Sequence, residues 1–301
     1  MKTTSIDIRP SLSQQQFQTE YLLPQKPVVI KGLVDKSPAG KKWTMDYIKQ
    51  VCGSVMVEVF DNANPNEASA FTQADLKMSF EKYIDTILKN ESTTWRMFLF
   101  NMFKLKPELR KDFPCPDLMK GILGRMGYMF FGAKGIKVRI HQDMDMSNVM
   151  LTQFHGRKRV LLIHPKYSAL LYKLPFNTHS LVDLDQPELK KYPALQYLQC
   201  HECILEPGDS LFMPAGYWHY ITYLDAGFSV SYRKLANTWT LRWQGLLSLF
   251  VYMPFDKLMN KLLGKRWLME KESIAQNRAN KVIQKIHKDY ENSIPMHWQL
   301  H

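Results

Sequence analysis

The apolar positions of this 301-residue chain change their spacing twice, and the changes divide it into three zones. From residue 1 to about 94, short patterns of two kinds are mixed. Pro27-Val-Val-Ile-Lys-Gly32 and Val55-Met-Val-Glu-Val-Phe60 are strand-like, whereas Met45–Val51 and Phe80–Leu88 space their apolar residues as one buried face of a helix requires. From about 95 to 235 the pattern is one of many short strands. It predicts Trp95–Asn101, Tyr128–Phe131, Ile136–Ile140, Val149–Phe154 and Arg159–Ile163, and then Cys203–Glu206, Ser210–Met213, Tyr220–Tyr223 and Phe228–Tyr232. Turns such as Gly132-Ala-Lys-Gly135 and His155-Gly156 separate them. Strands at this spacing predict an antiparallel sandwich or small barrel, and the open mouth of a barrel suits a metal and a small ligand.

From Ala236 onward the pattern is helical. Trp239–Met253 is apolar on nearly every side, Pro254 interrupts it, and Phe255–Trp267 is amphipathic and basic. A helix apolar all round needs cover on more than one side. Trp239–Met253 is therefore expected to be buried, either against the barrel or in a homodimer formed through the C-terminal helices. Lys257, Lys261, Lys265 and Arg266 also admit a membrane-surface reading of this region.

Composition narrows the class. The chain is 45% apolar and 23% charged, as a globular protein is, with no low-complexity tract and no visible internal repeat. Its first ten residues lack the apolar core of a signal peptide, and no run of about eighteen apolar residues exists, so a cytoplasmic protein without a transmembrane segment is expected. Cys200-His-Glu-Cys203 invites a zinc reading, but a structural zinc site needs four ligands and no second pair is spaced to complete it. The net charge of +12 makes an acidic partner plausible, nucleic acid included, although the lysines are spread rather than clustered.

The candidate chemistry lies in Arg139-Ile-His141-Gln-Asp143 and, far downstream, Gly216-Tyr-Trp218-His219. Two imidazoles and one carboxylate are the ligand set of non-haem Fe(II) oxygenases, which leave the opposite face of the metal open. On an extended strand His141 and Asp143 point to one side. A His-x-Asp pattern alone is cheap: His287-Lys-Asp289 also fits, but Val282, Ile283 and Ile286 place it on a helix, where positions two apart do not face each other. Asp145 is a rival carboxylate; four residues along a strand would put it about 13 Å from His141. No phosphate-binding loop or nucleophile elbow is present.

These residues carry a resemblance. Gly132-Ala-Lys-Gly135, His141-Gln-Asp143, Asn148, Gly156-Arg-Lys158, Pro207-Gly-Asp-Ser-Leu-Phe-Met-Pro214 and Trp218-His219, with Pro27–Gly32 ahead of them, are similar to the JmjC and cupin-like family of 2-oxoglutarate- and Fe(II)-dependent oxygenases. That family includes the asparaginyl hydroxylase acting on hypoxia-inducible factor. The resemblance covers about residues 15 to 235. It implies a mostly β core, a double-stranded β-helix (jelly-roll or cupin barrel), with flanking N-terminal α/β elements and a C-terminal helical appendage. The domain organisation expected is a catalytic domain over 1–235, with its flank at 1–94 and barrel at 95–235, followed by a helical region over 236–301.

The resemblance implies His141, Asp143 and His219 as iron ligands, with 2-oxoglutarate and dioxygen as the further reactants and no catalytic side chain beyond the ligands. It implies Lys158 as the cation for the remote carboxylate of 2-oxoglutarate, with Arg233 as the alternative, and Asn148 near the cosubstrate. A threonine common three residues before the first ligand is replaced by Val138, and Ser231 or Ser229 is expected to supply the missing hydrogen bond. The activity implied is hydroxylation or demethylation, of a protein side chain first, then a transfer-RNA base or a small molecule. A non-catalytic metal-binding cupin module is the competing class.

Overall fold

A computed structural model describes residues 1–35, 37–61, 74–89, 94–125 and 127–293. Parts of the expected N-terminal flank (62–73 and 90–93) and the end of the expected helical region (294–301) lie outside the described residues. Fourteen strands are found among the described residues. The first six are β1 (Lys2–Ser5), β2 (Asp7–Arg9), β3 (Val28–Ile30), β4 (Met56–Asp61), β5 (Leu76–Ser79) and β6 (Trp95–Phe100). The other eight are β7 (Gly127–Gly132), β8 (Lys137–His141), β9 (Asn148–His155), β10 (Lys158–Ile163), β11 (Gln199–Leu205), β12 (Ser210–Met213), β13 (Trp218–Tyr223) and β14 (Gly227–Lys234).

They form two sheets, ordered β1-β11-β10-β13-β8 and β2-β3-β12-β9-β14-β7-β6-β4-β5. Along the chain from β7 to β14 the strands pass back and forth between the sheets, four going to each. This makes a jelly roll: the mostly β, cupin-like core that the sequence led one to expect. The strands from β7 onward build it; β6 is an outer strand of the larger sheet, and short helices occupy much of 102–125.

Alternation assigns each side chain to the inside or the outside of the roll. On β14, Phe228 stacks with Phe131 and Phe154, and Tyr232 with Phe103, so Phe228, Val230 and Tyr232 face the N-terminal elements. Ser229, Ser231 and Arg233 therefore face inward. On β10, Leu161 and Ile163 join a second apolar cluster outside the roll, which leaves Lys158, Val160 and Leu162 inside. Gly156, at φ +68°, makes the turn from β9 to β10, where an added Cβ would meet the Ala226 carbonyl oxygen at 2.4 Å.

Five helices of eight residues or more are found among the described residues: α1 (Met45–Cys52), α2 (Phe80–Leu88), α3 (Trp239–Leu247), α4 (Met253–Leu263) and α5 (Lys265–Ser293). Thr44, Ser79 and Thr238 cap α1, α2 and α3 through their side-chain oxygens, an arrangement worth about 1 kcal/mol each. A π-helical turn, Ser248–Tyr252, joins α3 to α4. Helix α5 lays Ala275 and Ala279 on the second apolar cluster beside Leu171 and Trp218.

The expectation that Trp239–Met253 is buried against the barrel fails. The helix meets the body through a narrow strip that includes Gly245 and Ser248, while Trp239, Trp243 and Phe250 are 71, 61 and 73% exposed. Small residues permit the close approach, and the large ones are turned out. A buried polar cluster helps to anchor the region, beside the packing of Phe176 on Phe255 and Trp267. Asp256 on α4 accepts hydrogen bonds from Trp267 Nε1 (2.7 Å), Lys271 Nζ (2.7 Å) and Asn177 Nδ2 (3.0 Å), and its pairing with Lys271 is almost wholly buried. Asp256→Ala would leave the Lys271 ammonium buried and uncompensated, so a loss of about 3 kcal/mol or more is expected. Urea unfolding checks this; an unchanged midpoint would show that the buried pair does not hold the helices.

Candidate metal centre

Strands β8 and β13 run antiparallel with His141 directly opposite His219, and their rings lie 4.1 Å apart between centroids. Strand β8 ends at His141, so Asp143 sits just beyond the strand in the following loop rather than on the strand itself. His141, Asp143 and His219 nevertheless each offer a ligand atom, all within 4.8 Å of one another. His141 Nδ1 donates to the Arg139 carbonyl oxygen at 2.8 Å, and His219 Nδ1 to that of Tyr217 at 3.4 Å. Each ring is thereby oriented with Nε2 as the free lone pair, the usual arrangement for an imidazole that binds a metal.

Arg233 supplies what the strand does not. Its Nη2 donates to Asp143 Oδ1 at 3.0 Å, while its Nη1 donates to Asp145 Oδ1 at 2.8 Å and Ser147 Oγ at 2.9 Å. Burial by itself would raise the Asp143 carboxyl, but Arg233, then His219 and His141, outweigh it and hold the group well below the usual carboxylate range. The same two carboxylates raise the Arg233 guanidinium against the opposing effect of burial. Arg233, the alternative cation for the 2-oxoglutarate carboxylate, is thus engaged by the two carboxylates of the loop. Asp145 shares this guanidinium because the chain turns after Asp143; the straight-strand separation does not apply.

Lys158 enters from β10 on the inner face. It is 1% exposed, donates to Ser229 Oγ at 2.5 Å and lies 4.1 Å from the centre of the Tyr223 ring. Burial pushes its ammonium well below the ordinary lysine value. No ion pair is recorded for it among the described residues. Ser231 lies between Ser229 and Arg233 on the same face of β14, about 7 Å by strand rise from each. Its hydroxyl is buried without a hydrogen-bond partner, as is Gln153 Oε1 on the neighbouring strand. The inner face therefore carries, in order, a cation, an unsatisfied hydroxyl and the three-ligand cluster.

Asn148 is not brought to this pocket. It stands opposite Lys234 on β14, on the face that Ser229 and Ser231 do not share. Its Nδ2 donates to the Leu235 carbonyl and its Oδ1 accepts from the Ala215 N–H, both at 3.0 Å, which ties the start of β9 to the segments that follow β14 and β12. Of Cys200-His-Glu-Cys203, Cys200 joins the outer cluster and Cys203 the inner one, because alternation turns them apart.

Nothing in the residue pattern points to His179. The segment 178–180 covers the free edge of β8, and the His179 ring stacks on His141 at 5.5 Å. Asn177 Oδ1 accepts from His179 Nδ1 at 2.8 Å, and Asn177 Nδ2 donates to Asp256, so a polar chain runs from the C-terminal helices to a metal-ligand candidate. A cavity of about 310 Å³ adjoins it, lined by Arg139, His179, Phe176, Tyr252 and Met144 among others. A long-range polar chain of this kind leaves no periodic trace. Arg233 did leave one, since it continues the inward alternation of Ser229 and Ser231.

Comparison with known proteins agrees with this geometry. The cupin-like domain model matches residues 14–239, and the chain belongs to that family. It is 34% identical over 240 residues to lysine-specific demethylase 8 of Xenopus tropicalis, covering 74% of this chain and 51% of that protein. The corresponding protein of Danio rerio is 32% identical over 237 residues, 74% of this chain and 56% of the relative. The chain thus spans about half the length of these relatives. Human tRNA wybutosine-synthesizing protein 5 is 28% identical over 239 residues, 73% of this chain and 74% of that protein.

Two outcomes follow for the centre. Arg233→Lys keeps the charge but loses the fork that grips both carboxylates; Mn(II) affinity measured by calorimetry should fall about tenfold to hundredfold, and an unchanged affinity would remove Arg233 from the centre. The second concerns pH. Burial first, then the adjoining His219 and His179, lowers His141; burial, then Arg139 and Arg96, lowers His179 to about 4; and burial likewise lowers His219. The folded chain thus resists protonation that the unfolded chain accepts near 6.5, so stability is full above that pH and is lost as the pH falls from about 6.5 towards 4. The Tm of metal-free protein should decline over this window; a flat profile would contradict buried neutral imidazoles.

Proposed function

We propose that the chain is an oxygenase dependent on Fe(II) and 2-oxoglutarate, with a protein side chain as its substrate. The observation that carries the reading is Lys158, a buried ammonium on the same inner surface as the three-ligand cluster. A buried cation without an ion pair is costly, and a carboxylate entering the roll would relieve it. In this reading His141, Asp143 and His219 hold the iron, Lys158 binds the remote carboxylate of 2-oxoglutarate, and Ser231 donates to the cosubstrate between them. Iron with 2-oxoglutarate and dioxygen supplies an oxidant for C–H bonds; the roll orients the reactants and excludes water.

The relatives named as lysine-specific demethylases support a protein substrate and leave hydroxylation and demethylation as alternatives. A transfer-RNA base is the second reading, favoured by the +12 charge and by the wybutosine-synthesizing relative, whose length is covered more fully. Four free cysteines support the cytoplasmic setting expected from the sequence. Pairing of two copies through the C-terminal helices gains no support from the relatives.

Metal-free protein supplied with Fe(II), 2-oxoglutarate and oxygen should form succinate. Asp143→Ala and Lys158→Met should each lower this by about a hundredfold or more, Lys158→Met chiefly through the KM for 2-oxoglutarate. Succinate at background, with both variants indistinguishable from wild type, would leave a non-catalytic module. Between the two substrate classes, tight transfer-RNA binding should weaken steeply as salt rises; absence of such binding leaves the protein side chain.

A further inference from the structure

We propose that helices α3 and α4 are a docking surface for an anionic lipid bilayer, on which the protein lies without crossing it. Two observations converge. The first is the outward stripe: Trp239, Trp243, Leu247, Phe250, Leu258 and Leu262 are 40 to 73% exposed. They recur at helical spacing and lie away from the strip, Gly245, Ser248 and Asp256, that faces the body. Single exposed apolar residues are ordinary, but two tryptophans and a phenylalanine in one helical stripe are not.

The second is charge. Between Trp239 and Met269 the chain carries five cations, Arg242, Lys257, Lys261, Lys265 and Arg266, and one carboxylate. That carboxylate, Asp256, is 6% exposed and paired with Lys271 beneath the helix. Every exposed formal charge of the segment is therefore positive. Lys257 and Lys261 immediately precede Leu258 and Leu262, so the charges flank the stripe. Tryptophan and leucine on one side with lysine and arginine alongside is the composition of a helix lying in the headgroup region, and an anionic leaflet attracts such cations. No helix of the described residues is long and apolar enough to cross a membrane.

A second copy of the chain is the competing occupant. It would cover the same leucines, but a two-fold interface places like patches against each other and sets these cations beside their counterparts with no exposed carboxylate of the segment to answer them. An anionic surface answers both the stripe and the charge.

The test is co-sedimentation of the full chain with vesicles of phosphatidylcholine alone or with about one-third phosphatidylglycerol. Binding is expected to the anionic vesicles only, and should weaken as salt rises from about 0.1 to about 1 M. Lys261→Gln with Lys265→Gln should weaken it about thirtyfold, and Trp243→Glu with Phe250→Glu should abolish it, with unfolding midpoints near that of wild type because all four side chains are exposed. The proposal is overturned by no binding, by equal binding to both vesicles, or by a dimer in sedimentation that the Trp243→Glu, Phe250→Glu variant dissociates.

Discussion

The candidate site depends on one buried guanidinium. Strand pairing places His141 against His219 without further help, because the β8–β13 ladder sets their register. Asp143 has no such support, since β8 stops two residues earlier. Arg233, 8% exposed and near the end of β14, reaches across the roll and holds Asp143 and Asp145 together. Two carboxylates and one guanidinium leave a net negative charge, which suits a divalent cation placed against the two imidazoles. Without Arg233 the two acidic side chains would repel each other, and Asp143 would lose the hydrogen bond that fixes its direction.

The inner surface shows how a fold reserves a site. Most inward positions are apolar: Val160, Leu162, Leu205, Leu211 and Ile221 are buried in the main cluster. On the outer face of the same strands the buried polar groups are satisfied: Thr152 and Ser210 bond each other at 2.9 Å, and Asn148 bonds to the backbone of Leu235 and Ala215. The inward polar groups differ. Lys158, Ser231 and Gln153 keep hydrogen-bonding or charge capacity unused in a place where water is scarce. Buried polar groups in folded proteins are normally satisfied, so these inward groups stand apart from the satisfied pairs of the outer face. This distinguishes the roll from a barrel whose interior is packing alone.

Much of this was legible in the sequence, and the reasons for the rest are physical. Period-two alternation located β7 to β14 within a residue or two, apart from β11, which begins at Gln199 rather than Cys203. The expectation that His141 and Asp143 share a strand face went further than that alternation, since β8 ends at His141 and leaves Asp143 in the following loop. Arg233 carried the right charge at an inward position, yet its partner was decided by a turn at Met144 and Asp145 that the strand picture omits. The helix Trp239–Leu247 misled in the opposite sense. Its composition demanded burial, but which face meets the body was set by Gly245 and Ser248, small residues that contribute little to any hydropathy pattern. His179 was invisible, since its role rests on Asn177 and Asp256, the latter nearly eighty residues further along.

That packing of small residues has a consequence for the centre. A Cβ on Gly245 would meet the Asp145 carbonyl oxygen at 2.4 Å, so α3 lies directly on the backbone of the loop that Arg233 grips. The loop is held from inside by a guanidinium and from outside by a helix, and His141 is backed by His179, which is tied through Asn177 to Asp256 on α4. Both connections end on the same pair of helices. The exposed face of α3 and α4 is therefore joined to the ligand loop by two short paths, one of van der Waals contact and one of hydrogen bonds and ring stacking. Interiors this closely packed transmit small displacements rather than absorb them. The C-terminal helices are in this sense part of the scaffold of the candidate site, although they contribute none of its three ligand candidates.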